Sequence, residues 1–163
     1  MAATSQPPAW TDDLRGRLDE LLDEHRTMLR DSLDGLTDDE ARARLVPSAT
    51  TLLGLVKHVT YVERHWFGHA FTGLPMKHYG VASTPSGSFR LARADTVESI
   101  RAAHRAACAA SREACADVDL DTIVTGKGER VVWAIYTHVL RELAQHCGHA
   151  DILREQVLAA RAG

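Results

Sequence analysis

The sequence predicts an all-α fold, a four-helix bundle, and three observations predict it. Apolar residues recur at three- and four-residue steps through four long stretches, and no stretch alternates with the period of two that a strand requires. Each long stretch is bounded by capping residues, glycine or proline. The chain is rich in alanine, and phenylalanine, tyrosine and tryptophan make up only 6% of it, a balance that favours helix over sheet.

Taken in order, residues 1–10 carry Pro7 and Pro8 without periodicity and read as a loose arm. Thr11 is a good N-cap, with Asp12 and Asp13 in the first turn where carboxylates suit the helix dipole. Leu14, Leu18, Leu21, Leu22, His25, Met28, Leu29 and Leu33 then form one stripe of a helix ending near Gly35. Thr37-Asp38-Asp39-Glu40 is a capping-box pattern opening a short helix to about Leu45, which Pro47 stops. A second long helix is expected from Thr51 to Phe71, carrying Leu52, Leu55, Val56, Val59 and Val62. Residues 72–95 contain Gly73, Pro75, Gly80, Pro85 and Gly87. A connection that long inside a compact domain is unusual and often functional. Thr96 caps a third helix over 97–116, residues 117–128 read as a polar connection, and a fourth helix runs from about Arg130 to Leu158, with a fraying tail at 159–163. With no internal repeat or second composition regime, residues 1–163 read as a single domain.

At 163 residues, 45% hydrophobic and 25% charged, the chain has the composition of a globular protein with a real core rather than of a disordered one. A net charge of -3 lacks the strongly basic stripe of a nucleic-acid binder. No apolar run approaches the ~18 residues of a membrane span, and Met1–Trp10 has no secretory pattern, so a cytoplasmic protein with no membrane partner is expected. The three cysteines, Cys108, Cys115 and Cys147, have no C-x-x-C spacing and read as small buried thiols.

Chemistry concentrates on two helices. On the fourth, His138, Glu142, His146 and His149 are four, four and three apart, one row within a sector of roughly 80° at ~100° per residue. Val131, Ile135 and Leu153 share that sector, so the row is expected to point inward, where a carboxylate and three imidazoles need either a hydrogen-bonded network or a metal. On the second helix His58 shares a row with Val62, His65 and His69. Glu142 and His146 form an E-x-x-x-H pair able to chelate one ion, with His58 as the third ligand across the bundle. His65 and His69 lie ~10 and ~16 Å further along the helix axis and cannot share that ion. His25 and His104 read as satisfied core histidines, and His65, His69 and His78 as surface or rim residues. Met76, His78 and Tyr79 are candidate rim residues; Tyr61, Trp66 and Phe67 read first as packing.

Two segments resemble a known family. Leu52–Phe67, with His58 at its centre, and Gln145-His146-Cys147-Gly148-His149-Ala150-Asp151-Ile152-Leu153-Arg154-Glu155 look like the DinB-like (YfiT-like) superfamily, in the branch called mini-circle proteins, related to mycothiol-dependent enzymes. The resemblance covers nearly the whole chain and implies an up-down-down-up four-helix bundle. It implies a metal held by His58, Glu142 and His146, the glutamate being the variant of thiol-dependent relatives. Relatives often carry Arg-Gly-Gln where this chain has Cys147-Gly148-His149, which leaves His149 as an outer partner, a proton carrier or a fourth ligand. His138, one turn before Glu142, is placed to orient that carboxylate. The implied activities are S-transfer or isomerisation with a low-molecular-weight thiol such as mycothiol, in detoxification or stress response; metal-dependent hydrolysis; or no catalysis, the ion fastening a dimer. A homodimer acting on a small molecule is the implied assembly. Zinc is the expected ion, and nickel suits the same donors. Three ligands leave an open position at which a thiol or a water is acidified. Arg141, Arg154 and Lys57 are candidates for a basic recess around a charged thiol.

Overall fold

A computed structural model describes residues 13–161, so the expected arm at 1–10 and the cap at Thr11 lie outside the described residues. Among these residues the chain is mostly helical, with one two-stranded sheet. Helix α1 spans Leu14–Asp31, capped by Asp13, whose carboxylate accepts from the amides of Arg15 and Gly16. The short α2, Asp38–Ala41, carries the expected reciprocal capping box between Thr37 and Glu40. Thr51 caps α3, Leu52–Glu63, by accepting from the Gly54 amide.

The second long helix is not uniform. After Glu63 it widens into a π-helical segment, Arg64–His69, and tightens again in α4, Ala70–Thr72. The i→i+5 spacing of a π turn breaks the 3.6-residue row expected through His58, His65 and His69. The following connection is also structured, with a 3-10 turn at Met76–Tyr79 and α5 at Pro85–Ser88, capped by Thr84. Thr96 caps α6, Val97–Cys115.

The polar connection at 117–128 holds a feature that periodicity missed. Ile123–Val124 (β1) pairs antiparallel with Arg130–Val131 (β2), and the turn between them is pinned where the Gly126 amide donates to Ala70 O at 3.0 Å. A Cβ at Gly126 would collide with Gly73 N and His69 O, so only glycine lets the hairpin come this close. Helix α7, Val132–Arg161, then runs the length of the molecule. Of the tail expected to fray, 162–163 lie outside the described residues, and Arg161 is held by Glu40 and by Gly35 O.

The long helices contact one another in a ring: α1 lies on α7 and α6, and α3 lies on both α6 and α7. Leu22, Leu29, Leu53, Val56, Val139 and Leu143 are among the residues that fill the space between them. Fully burying one such side chain stabilises by about 1.5–3 kcal/mol. The buried stripe of α7 includes Val132, Ile135, Tyr136, Val139, Leu143, Cys147 and Ala150. Val139, Leu143 and Cys147 are each one residue past His138, Glu142 and His146. The polar row therefore does not point into the core as expected; it flanks the seam, half-buried, and His149 is exposed. Apolar side chains take the centre of the stripe because burial costs them nothing, and the ionisable row is displaced to its edge. No helix among the described residues is long and apolar enough to cross a membrane.

Candidate metal centre

The structure brings together the three residues singled out on α3 and α7. His58, Glu142 and His146 each offer one ligand atom, and these atoms all lie within 4.8 Å of one another. His58 is 6% exposed, and the His146 and Glu142 side chains retain 12% and 28% of their exposure. The His58 and His146 rings meet edge to face at 4.8 Å.

Of the three side chains, His58 is held from behind. Phe89 stacks on His58 with ring centres 4.0 Å apart, and Ser88 Oγ lies 2.7 Å from His58 Nδ1. The Ser88 hydroxyl donates to Pro85 O at 2.5 Å, so its oxygen accepts from His58 Nδ1–H. That bond leaves the lone pair of His58 on Nε2. On α7 the Glu142 carboxylate lies 3.8 Å from His138 Nε2, 3.7 Å from Arg141 and 3.7 Å from His146 Nε2, all beyond hydrogen-bond reach. His146 Nδ1 is buried with no hydrogen-bond partner. A buried nitrogen without a partner is costly, and two imidazoles with one carboxylate are the donor set of an open-sided zinc site, so the residues present fit a divalent ion. Burial lowers both imidazole pKa values, that of His58 to about 4, and His146 adds to the effect at His58. Both rings are therefore neutral near pH 7, the form that ligates.

The cluster opens on a cavity of about 450 Å³, whose lining includes His58, Tyr61, His65, Trp66, Lys127 and Glu142. His138 sits in the same wall, its ring 4.4 Å from that of Trp66. Tyr61 and Trp66, read first as packing, thus face the cavity, whereas Phe67 is core. His65 and His69 stand apart from the cluster, as the rise along the helix requires; His69 Nδ1 bonds Leu74 O. His149 is outside it too, beside an apolar hollow with Val46, Ile152 and Leu153.

Other expectations change. The 72–95 segment does cover the site, but through Ser83, Pro85, Ser88 and Phe89. Met76 is buried, Tyr79 packs against Gly68 and bonds Thr72, and His78 is exposed. The basic recess expected from Lys57, Arg154 and Arg141 does not form. Lys57 is held by Asp95 and Arg90 O, Arg154 by Ser32 O and Asp34 O, and Arg141 lies exposed along α7. The basic residue over the cavity is Lys127, which the sequence marks only as the centre of a Gly-Lys-Gly turn. His25, expected in the core, is half-buried and bonds Leu21 O of its own helix, while His104 is fully buried beside Cys108. All three cysteines are buried, and burial pushes Cys108 up to about 12 and Cys147 up to about 11, so neither is a thiolate near neutral pH.

Comparison with curated proteins finds no match. Residues 17–159 match the family described as Mycothiol-S-transferase, a span that holds every residue of the cluster and of its cavity. With that match over most of its length, the chain belongs to the mycothiol-S-transferase family, a DinB-like family.

Proposed function

We propose that the chain is a metal-dependent S-transferase that joins a low-molecular-weight thiol of the mycothiol type to an electrophilic small molecule, in detoxification or stress response. The observation that carries this reading is the cluster itself: two neutral imidazoles and a carboxylate converge, His58 and Glu142 of them lining an open cavity, with one buried nitrogen unpartnered. His58, Glu142 and His146 are the proposed ligands, zinc is the proposed ion, and nickel suits the same donors. Such an ion supplies Lewis acidity that makes a thiol acidic near neutral pH.

The chain's own residues do the rest. Ser88 fixes the tautomer of His58, and Phe89 holds its ring plane. His138 stands with Nε2 3.8 Å from the Glu142 carboxylate, from where a small side-chain movement would let it orient that group. Tyr61 and Trp66 supply flat walls that exclude water from the electrophile. The buried, raised cysteines support an external thiol as the nucleophile. A purely structural ion would need a fourth protein ligand; His149, exposed and outside the cluster, is poorly placed to be one, which favours the catalytic reading. The ring of contacts among α1, α3, α6 and α7 supports a single-domain four-helix bundle of up-down-down-up topology. We read the protein as a cytoplasmic homodimer.

The test is elemental analysis of the purified protein. About one zinc or nickel per chain is expected, lost in His58→Ala, His146→Ala and Glu142→Ala and retained in His65→Ala, with thiol conjugation of an electrophile following the metal. Equal metal content in all four variants would sink the ligand assignment. Full metal content without conjugation of any thiol tried would favour hydrolysis at the same site.

A further inference from the structure

One cation lines the cavity, a second stands beside it on the same tryptophan, and neither is neutralised. Lys127 Nζ lies 2.5 Å from His65 Nε2 and 5.1 Å from the centre of the Trp66 ring, and the Arg130 guanidinium lies 5.9 Å from the same ring. Arg130 also donates to Lys127 O at 2.8 Å, which couples the two across the hairpin turn. Among the described residues neither forms an ion pair with a carboxylate, whereas Arg15, Arg26, Lys57, Arg101, Arg112 and Arg161 each do. His65 is neutral near pH 7, held down to about 4 by burial first and by Lys127 next, so it accepts the lysine's proton in a hydrogen bond and takes none of its charge. The lysine itself is pushed below its ordinary value by burial and then by Arg130. Two like charges, part-desolvated on one aromatic ring, are poorly placed by themselves; a bound anion relieves both costs.

The position is rigid. Gly126, immediately before Lys127, can be nothing but glycine against Gly73 and His69, and its amide is bonded to Ala70 O. The hairpin is thereby locked to the π-helical end of the second long helix, and Lys127 is presented to the same cavity that Glu142 and His58 floor. Trp66 links the two ends, carrying Lys127 on its face and meeting the His138 ring at 4.4 Å.

We infer that Lys127 and Arg130 form an anion subsite, and that the electrophilic substrate is a small planar molecule bearing a carboxylate, seated between Trp66 and Tyr61 with its charge on Lys127. The assignment rests on the reading above only in taking this cavity as the place where thiol and electrophile meet. The carboxylate is assigned to the electrophile because the sulfur must lie at the cluster by His58, while Lys127 stands at His65, ~10 Å further along the helix axis.

Benzoate and its neutral counterpart benzamide are the probes, titrated by calorimetry into chelator-treated, metal-free protein at low salt. Benzoate should bind at least about tenfold more tightly than benzamide, since a charge-assisted bond to an ammonium is worth about that factor. Lys127→Ala should weaken benzoate about tenfold, Arg130→Ala about threefold, and Lys127→Arg should restore most of the loss. The remote Arg105→Ala should change nothing. Equal binding of the two probes, or an unchanged benzoate affinity in Lys127→Ala, would overturn the subsite. So would benzoate binding seen only in zinc-loaded protein, because the carboxylate would then sit on the ion; in that case the metal centre stands and the subsite falls. Displacement of benzoate by mycothiol would overturn the assignment to the electrophile. If the protein takes up no zinc yet binds benzoate through Lys127, the proposed function fails and the subsite survives.

Discussion

Two polar clusters interrupt the apolar interior, and they solve the same problem in opposite ways. Around Glu63, at the end of α3, every charge is matched. Glu63 is fully buried and takes a two-pronged pair of hydrogen bonds, each 2.8 Å, from Arg26, which is itself 3% exposed and reaches Asp23 with its remaining arm. Around His58, little more than one helical turn earlier on the same helix, the donors converge without closing. Glu142 stands 3.7 Å from His146, and His146 Nδ1 meets nothing. A buried polar group is retained only if it is satisfied. Where the partners are complete, the cluster is part of the scaffold; where they fall short, the cluster is the proposed metal site.

The sharpest way to break this contrast is to remove one acid from each cluster. Glu63→Ala strands the Arg26 guanidinium in the interior and should cost about 3–5 kcal/mol of folding stability. The double change Arg26→Met with Glu63→Leu should recover most of it, because the desolvation of both charges disappears with them. Glu142→Ala removes no formed hydrogen bond, and in metal-free protein it should change stability by less than about 1 kcal/mol while abolishing metal uptake. Urea unfolding of the metal-free variants measures all three. Comparable losses from Glu63→Ala and Glu142→Ala would mean that the two clusters are the same kind of structure.

A smaller effect is read in the acid limb, to which the buried His58 of the open cluster and a histidine beside the closed one both contribute. His104 is fully buried beside Cys108 and near the Glu63 cluster, and burial lowers its pKa from the usual 6.5 to about 4. A histidine whose folded value is depressed stabilises the fold above its unfolded value, and that contribution is lost as pH falls from 6.5 to 4. The loss should approach ~3 kcal/mol at pH 4. Acid unfolding followed by circular dichroism should show it, and His104→Gln should flatten that limb without altering metal content. An acid limb unchanged in His104→Gln would place the sensitivity elsewhere.

Legibility in the sequence divides along the same line. Helical rows and caps act locally, so the four long helices, Thr37, Thr51 and Thr96 could be read directly, and so could the convergence of His58 with an E-x-x-x-H pair. Three things were not legible. The π turn at Arg64–His69 has no periodic signature of its own and appears only when the helix packs. The burial of Arg26 and Glu63 depends on their finding each other across 37 positions, which no spacing announces. The hairpin that delivers Lys127 depends on Gly126 docking against Gly73 and His69, a contact between distant segments. Even the row on α7 reads one residue out in its centre and one member too long, His149 being exposed, because a stripe of mixed polarity does not say which edge wins the core.

Ser88 sharpens the comparison most finely, since it is the one place where the open cluster is closed. Its hydroxyl is committed to Pro85 O, so its oxygen can only accept from His58 Nδ1, and the ring is held with Nε2 bare. Nothing in Thr84-Pro85-Ser86-Gly87-Ser88 marks this serine from its neighbour Ser86; the short helix α5 alone turns it inward, where it is 2% exposed. Ser88→Ala would leave the ring free to adopt the other tautomer or to rotate. Zinc affinity should then fall about 10–100-fold, the usual cost of losing an outer partner of a metal-binding histidine, with one ion per chain still bound at saturation. Nitrogen NMR of the His58 ring in metal-free protein should show a single tautomer in the parent and a mixture in the variant. An unchanged affinity together with a mixed tautomer would mean that the ion, not the serine, orders the ring, and the cluster would then be less pre-organised than its geometry indicates.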